Sequence, residues 1–404
     1  MKNKIKRMPM IVLAIVLVTV VFTYLNANNS YEEKIINKPN KVTKKIALNL
    51  EQTEGSGDYK LVTQSNWPSE GYKFNSELSK CENDGELSWD DTKKIVVFSG
   101  NVSDKCYVYF DKVSILALVD YIISQYTGTQ GDNGIYYHNS SLENGAGDNS
   151  YRYAGANPNN FVCFGSTTSP CPTDNLYRII GVIDGKVKLI KYDYANSNLL
   201  GTDGDYYGSR TPDASYYKGK LTSVNTYYWY ESNTNTWSAS NLNKTNLNTN
   251  FINNIGATWA NKIETTTWKV GGNTSANIRD AVPSVAYKNE ITTPAENTTY
   301  DAKIGLMYTS DYGFAASPSA WTTKLNSYNS SSVTSVNWMY MGVNEWTISH
   351  RSDNSDRVFY VSADGYVSYS TASSHTVVRP SFNLTSSTSY VSGSGSMTDP
   401  IRLS

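Results

Sequence analysis

Two Asp-Gly steps constrain this chain most, because each separates a pair of short, alternating, β-prone runs. Tyr177 to Ile183 and Lys186 to Tyr192 flank Asp184-Gly185, while Val358 to Ser362 and Tyr366 to Ser370 flank Asp364-Gly365. Asp and Gly tolerate the positive φ of a tight hairpin turn, so each step predicts a β-hairpin. Val377 to Leu384 supplies a further strand in the region of the second hairpin. With 32 Tyr and 9 Trp, and few Ala/Leu/Glu/Lys runs, the 404-residue chain reads as α+β and β-rich. Its net charge of −1 offers no basic surplus for a nucleic acid partner.

The N-terminus points to export. Lys2, Lys4, Lys6 and Arg7 precede an apolar run from Met8 to Leu25, and positive flanks of this kind stay cytoplasmic. Residues 1–27 are therefore expected to be a signal peptide or a membrane anchor, both readings staying open. Residues 28–58, polar and Lys-rich, read as a flexible stalk. From Tyr59 to Lys112 short β runs alternate with Gly, Asn and Asp clusters, the pattern of a small antiparallel domain. Residues 113–149 form a linker with a helix, Ser114 to Tyr126, and residues 150–404 a second domain. Within that domain helices are expected over Ser238–Ile255 and Thr258–Trp268, a buried strand at Lys303–Ala316, and an extended segment at Asn337–Gly342.

Four cysteines suit an oxidising compartment, and their spacing favours Cys81 with Cys106 and Cys163 with Cys171 among three connectivities. Loop closure gives about 3.5 kcal/mol for the longer loop and about 2.6 for the shorter. No Cys has a nearby His, and His138, His350 and His375 lack ligand spacing, so no metal site is expected. Hydrolase elbows, phosphate loops and dinucleotide fingerprints are missing from the sequence.

The closing segments carry a resemblance. Glu345, Trp346 and Thr347, followed by a hairpin and by Val378-Arg379-Pro380, resemble the end of C-type-lectin-like domains, including the formylglycine-generating-enzyme-like fold. Trp237, Ser240, Leu242, Leu247, Asn248 and Phe251, with Ile304 to Ser310, add similarity to a family of secreted bacterial proteins with a lectin-like domain of unknown function. The resemblance covers residues 150–404 and implies a C-terminal C-type-lectin-like domain there, following the N-terminal membrane helix and small antiparallel β domain expected from the residues themselves. It also implies a core role for Trp346 and an internal ion pair for Arg379. No Cys follows Cys171, so the oxidase chemistry of the formylglycine-generating enzymes is not expected.

The function expected is binding of an extracellular glycan or protein by a cell-membrane or secreted protein. A glycan-active enzyme and a structural surface or assembly protein are the alternatives. Trp338, Tyr340, Trp346 and Arg351 are the candidate ligand-binding residues, since aromatic faces stack on sugars and Arg bonds carboxylates. In an extended segment Trp338 and Tyr340 share one face and Met339 and Met341 the other. Asp203 and Asp205, and likewise Asp353 and Asp356, sit in turn-forming loops. Turn bonding is the first reading for both pairs, calcium the second, with Asp203 and Asp205 as its candidate ligands, and catalysis the third.

Overall fold

The computed structural model describes residues 45–62, 71–90, 95–100, 104–210 and 223–404. The chain divides into two compact units, Met1–Ile115 and Leu116–Ser404. The expected signal or anchor of residues 1–27 lies outside the described residues.

In the first unit, β1 (Lys45–Glu51), β2 (Tyr59–Leu61), β3 (Tyr72–Cys81) and β6 (Lys105–Lys112) form a sheet of order β2-β1-β6-β3. β4 (Glu86–Asp90) and β5 (Ile95–Ser99) make a separate hairpin. Leu48, Leu50, Val108 and Phe110 are its buried core, with Phe74 and Trp89 packed edge-on against Phe110. β1 corrects two expectations. It falls inside the stretch read as a stalk, and it runs parallel to β6, so the sheet is mixed rather than antiparallel. The sequence KIALNLE alternates once its Lys and Glu ends are discounted, but the Lys-rich residues before it mask the pattern.

The second unit opens with β7 (Leu116–Ala117) and a helix, Leu118–Ser124, shorter than expected. β8 (Ile135–Tyr137), β9 (Tyr151–Tyr153), β10 (Phe161–Cys163), β11 (Leu176–Ile183) and β12 (Lys186–Lys191) follow. Asp184 and Gly185 both take positive φ, 51° and 69°, as a two-residue hairpin turn requires. β9 and β10 occupy different halves of the same edge of β11. A Cβ at Gly181 would lie 2.2 Å from the Tyr151 carbonyl, so the close approach of β9 requires glycine. Alternate side chains leave this hairpin on opposite faces. Ile179 and Leu189 join a core with Trp229, Trp237, Phe251 and Trp346, whereas Ile180 and Ile190 join another with Met307, Tyr312, Trp338 and Phe359. That two-sided burial explains a strand that reads as a continuous apolar run.

β13 (Tyr206–Arg210) and β14 (Val224–Tyr228) pair next, and β15 (Thr266–Lys269) pairs with β16 (Thr299–Ala302). β17 (Glu345–His350), β18 (Arg357–Val361) and β19 (Val367–Thr371) form a meander. The Asp364-Gly365 hairpin exists, but its loop runs from Ser362 to Tyr366 and only Gly365, at φ 99°, is left-handed. β20 (His375–Thr376) joins β14, and β21 (Ser381–Asn383) joins β12. The segment Val377 to Leu384 thus meets the meander at Val377, bridged in parallel to Glu345, and then passes to β12. β22 (Ser389–Ser392) lies between β7 and β23 (Arg402–Leu403).

The expected helix at Ser238–Ile255 is a π-helix, Leu242–Phe251, with one further turn, Ile252–Asn254. Its asparagines are poor helix formers that serve as clamps: Asn246 Nδ2 donates to Leu200 O (2.8 Å) and Asp203 O (2.9 Å), and Asn248 Nδ2 to Ile304 O (2.9 Å). The Thr258–Trp268 helix is corrected to a single turn, Ala257–Ala260, with Trp268 in β15. The buried strand at Lys303–Ala316 reduces to one bridge, Gly305 to Ser381, before a helix at Thr309–Phe314. An apolar run buried on all sides carries no period that separates the two states.

The fold reading as a whole is corrected. The described residues are β-rich and distributed over several small sheets, seven among those described, and the sheet of the first unit is mixed rather than antiparallel. Among the described residues no helix is long and apolar enough to cross a membrane.

Candidate functional site

The residues nominated from the sequence divide by depth. Trp338 and Trp346 are both 1 % exposed. Trp338 Nε1 donates to Tyr153 O (2.8 Å), and the Arg178 guanidinium lies 4.6 Å from its ring. The expectation that Trp338 shares a free face with Tyr340 is corrected. Asn337–Gly342 is a turn, with Tyr340 N bonded to Asn337 O, so the alternation of an extended segment does not apply, and Met339 and Met341 are buried too. Tyr340 is half-buried and donates to Ala363 O (2.8 Å). Arg351 spends its fork on Asp353, with both contacts at 2.8 Å, and packs 4.3 Å from the Tyr369 ring. Bidentate geometry of that kind leaves the guanidinium no second fork for a ligand carboxylate.

Asp205 is buried and structural. Its Oδ1 accepts from Glu231 N (3.0 Å), its Oδ2 from Leu242 N (2.7 Å), and its carbonyl from Tyr228 N (2.8 Å). Burial raises its pKa, against those backbone donors. Asp203 Oδ1 accepts from Asn250 (2.6 Å). The turn-bonding reading of this pair therefore has its donors in place. Both local disulfides, Cys81–Cys106 and Cys163–Cys171, are present. Asp104 sits beside the first, but its carboxylate accepts from Asn83 N and Gly85 N, and both sulfurs are oxidised, so the trio is no cation site.

A buried ionic network escaped sequence reasoning. Asp311 receives Lys188 Nζ (2.6 Å) and faces Arg152 (3.5 Å), which also meets Asp148 (2.8 Å). Glu290 accepts from Thr309 Oγ1 (2.6 Å), Ser310 N (3.0 Å) and the Ser349 hydroxyl, and burial raises its pKa. Arg379 and Glu345 form a second buried pair at 2.7 Å, the internal role that the resemblance implies. These carboxylates all have partners, and Asp148 alone of them keeps some exposure. The arrangement ties β9, β12 and the Thr309–Phe314 helix together in the core.

The face that does reach solvent lies on the sheet β13-β14-β20. Tyr206, Tyr227 and Thr376 stand opposite one another in register, and Tyr227 is fully buried. By alternation, Tyr228 and His375 turn to the other side. Tyr207 is an extra residue in β13, since Tyr206 pairs with Tyr227 and Gly208 with Thr226, and a bulge of this type re-aims its side chain. The result is an aromatic cluster: Tyr207 stacks on His375 at 3.4 Å and 5°, and meets Tyr228 edge-on at 5.4 Å and 88°. Tyr207 is 51 % exposed. Burial and then Arg210 lower the His375 pKa, so the ring stays neutral at pH 7. A rigid frame holds the cluster from beneath. Tyr227 O accepts from Trp346 Nε1 (2.9 Å), and the Tyr227 hydroxyl donates to Gly201 O (3.0 Å). The sequence signal available was the pair of doublets Tyr206-Tyr207 and Tyr227-Tyr228; His375 is brought in only by the fold.

Comparison of this chain with protein-family models, with curated proteins and with solved structures gives no match.

Proposed function

We propose that this is a secreted or surface-displayed binding protein that recognises an extracellular glycan on the outer face of β13-β14-β20. The observation that carries the reading is the aromatic cluster of exposed Tyr207 with half-buried His375 and Tyr228. Aromatic rings that are exposed on a pre-ordered sheet offer flat apolar area at low entropic cost, which suits the C–H faces of a sugar. Arg210 and Ser209, also exposed on β13, supply hydrogen-bond donors at its border. Two disulfides accord with an exported chain.

The test is a glycan array probed with the intact chain, followed by Tyr207→Ala and His375→Ala. Each loss of stacking of about 1 kcal/mol weakens binding by about fivefold. Retained affinity in both variants, or binding to protein ligands alone, refutes the glycan assignment.

A further inference from the structure

Lys188 on β12 is 5 % exposed, and its ammonium is incompletely satisfied. An ammonium has three N–H donors, yet among the described residues this one makes a single hydrogen bond, from Nζ to Asp311 Oδ2 at 2.6 Å. Its other near neighbours are ring faces, Tyr308 at 4.7 Å and Trp268 at 5.5 Å. Burial lowers the Lys188 pKa, against the opposing pull of Asp311. A lysine held this way gives up a proton more readily than one in water.

Asp311 is fixed from several sides. Its Oδ2 also accepts from Tyr308 N (2.9 Å), and its Oδ1 lies 3.5 Å from Arg152 Nη1. That Nη1 is buried and makes no hydrogen bond among the described residues, so its donors are unspent beside Oδ1. Glu290 pins the same helical turn by accepting from Thr309 N and Ser310 N, both at 3.0 Å. The lysine and the carboxyl therefore meet in a fixed contact, dry and walled by aromatic rings.

We infer that Lys188 and Asp311 condense within the folded chain into an isopeptide amide joining Nζ to Cγ. The Nζ–Cγ bond forms and the Cγ–Oδ2 bond breaks. Of the three ammonium protons one stays on the amide nitrogen and two leave on Oδ2 as water, so the ion pair becomes a neutral amide and one water without any oxidant or reductant. Each atom is placed for its part. Nζ touches the oxygen that must take its protons, while Oδ1, where negative charge develops as Nζ attacks, faces the Arg152 guanidinium. Reactants held in contact by the fold avoid the entropic cost of encounter. A buried ion pair bears the desolvation of two charges, and the amide removes both. The bond would tie β12 to a helix residue 123 positions further along the chain. The inference is independent of the sheet face and its ligand.

Peptide mapping by mass spectrometry tests it, on the intact chain purified in its folded state, then reduced and digested with trypsin. The expected product is a branched peptide that holds both Lys188 and Asp311, is uncut after Lys188, and is lighter than the sum of its two arms by one water, about 18 Da. Lys188→Arg keeps the positive charge but cannot form this amide, so its digest should return the Asp311 peptide in linear form. Linear Lys188 and Asp311 peptides from the parent chain overturn the inference and leave an ordinary buried ion pair. A water loss confined to one linear peptide also overturns it, because that marks an aspartate dehydrated in place, as at an Asp-Gly step. So does a branch on Asp311 that persists in Lys188→Arg. The parent digest decides by itself, so a variant that fails to fold does not remove the test.

Discussion

His138 should make the second unit acid-sensitive well above the carboxylate range. The ring is fully buried between Phe314, edge-on at 4.9 Å, and Trp321 at 5.1 Å. Its Nδ1 accepts from Ala146 N (2.9 Å), so a proton there would displace a backbone donor, while Nε2 has no partner. Burial, and then the Arg152 charge, lower its pKa from 6.5 to about 3, against a weaker pull from Asp148. A histidine depressed in the folded state is protonated preferentially when unfolded, so stability falls as pH drops below 6.5 and the loss levels off only near 3. Between pH 7 and pH 5 the unfolded chain gains about 1.4 pH units of protonation free energy that the folded chain does not, or about 2 kcal/mol. Urea unfolding followed by Trp fluorescence at the two pH values measures this. His138→Asn keeps an acceptor for Ala146 N but cannot titrate, so its stability should change by about 2 kcal/mol less over the same interval. Equal pH dependence in the two proteins refutes the reasoning.

Trp338→Ala should cost about 3 to 5 kcal/mol, comparable to Trp346→Ala, because both rings are core; thermal melts that spare Trp338→Ala would return it to the surface. Arg379→Ala strands the Glu345 carboxylate in the interior and should cost about 3 to 5 kcal/mol by urea unfolding, with Arg379→Ala/Glu345→Met recovering most of it. Replacing Cys81 and Cys106 by Ser should lower the stability of the first unit by about 2 to 4 kcal/mol and leave the melting of the second unit unchanged. Asp205→Ala, which strands two backbone donors, should destabilise by about 1 to 3 kcal/mol, and calcium should not raise the melting temperature of the intact chain.

Local chemistry was legible where it was self-sufficient. Asp184-Gly185 makes its hairpin because both residues adopt the positive φ that the turn needs, with no help from elsewhere. The two disulfides are likewise local, each joining cysteines in one unit. Burial was not legible. NWMYMG alternates in sequence, but the Asn337 carboxamide donates to Tyr312 O (3.1 Å) and accepts from Met339 N (3.0 Å), a turn bond that overrides the β pattern. The charges Asp148, Arg152, Lys188, Glu290 and Asp311 are scattered along the chain, so no spacing rule could assemble their network.

The nominated site was one layer too deep, and the geometry explains why. Aromatic and acidic residues in polar loops draw attention as ligand contacts, yet here Trp346 and Asp205 hold the central strand, β14, of the sheet that carries the aromatic cluster. Trp346 secures the Tyr227 carbonyl, and the Asp205 carbonyl secures the Tyr228 N–H. Tyr228 lies on this strand and Tyr207 packs edge-on against it, so both rings are positioned by the frame, which would lower the entropic cost of the proposed contact. The proposed recognition surface needs rigid support, and Trp346 and Asp205 are consumed in providing it. Substitutions at Trp346 and Asp205 would therefore impair binding through the frame, with stability and affinity falling together, whereas Tyr207 and His375 would separate the two.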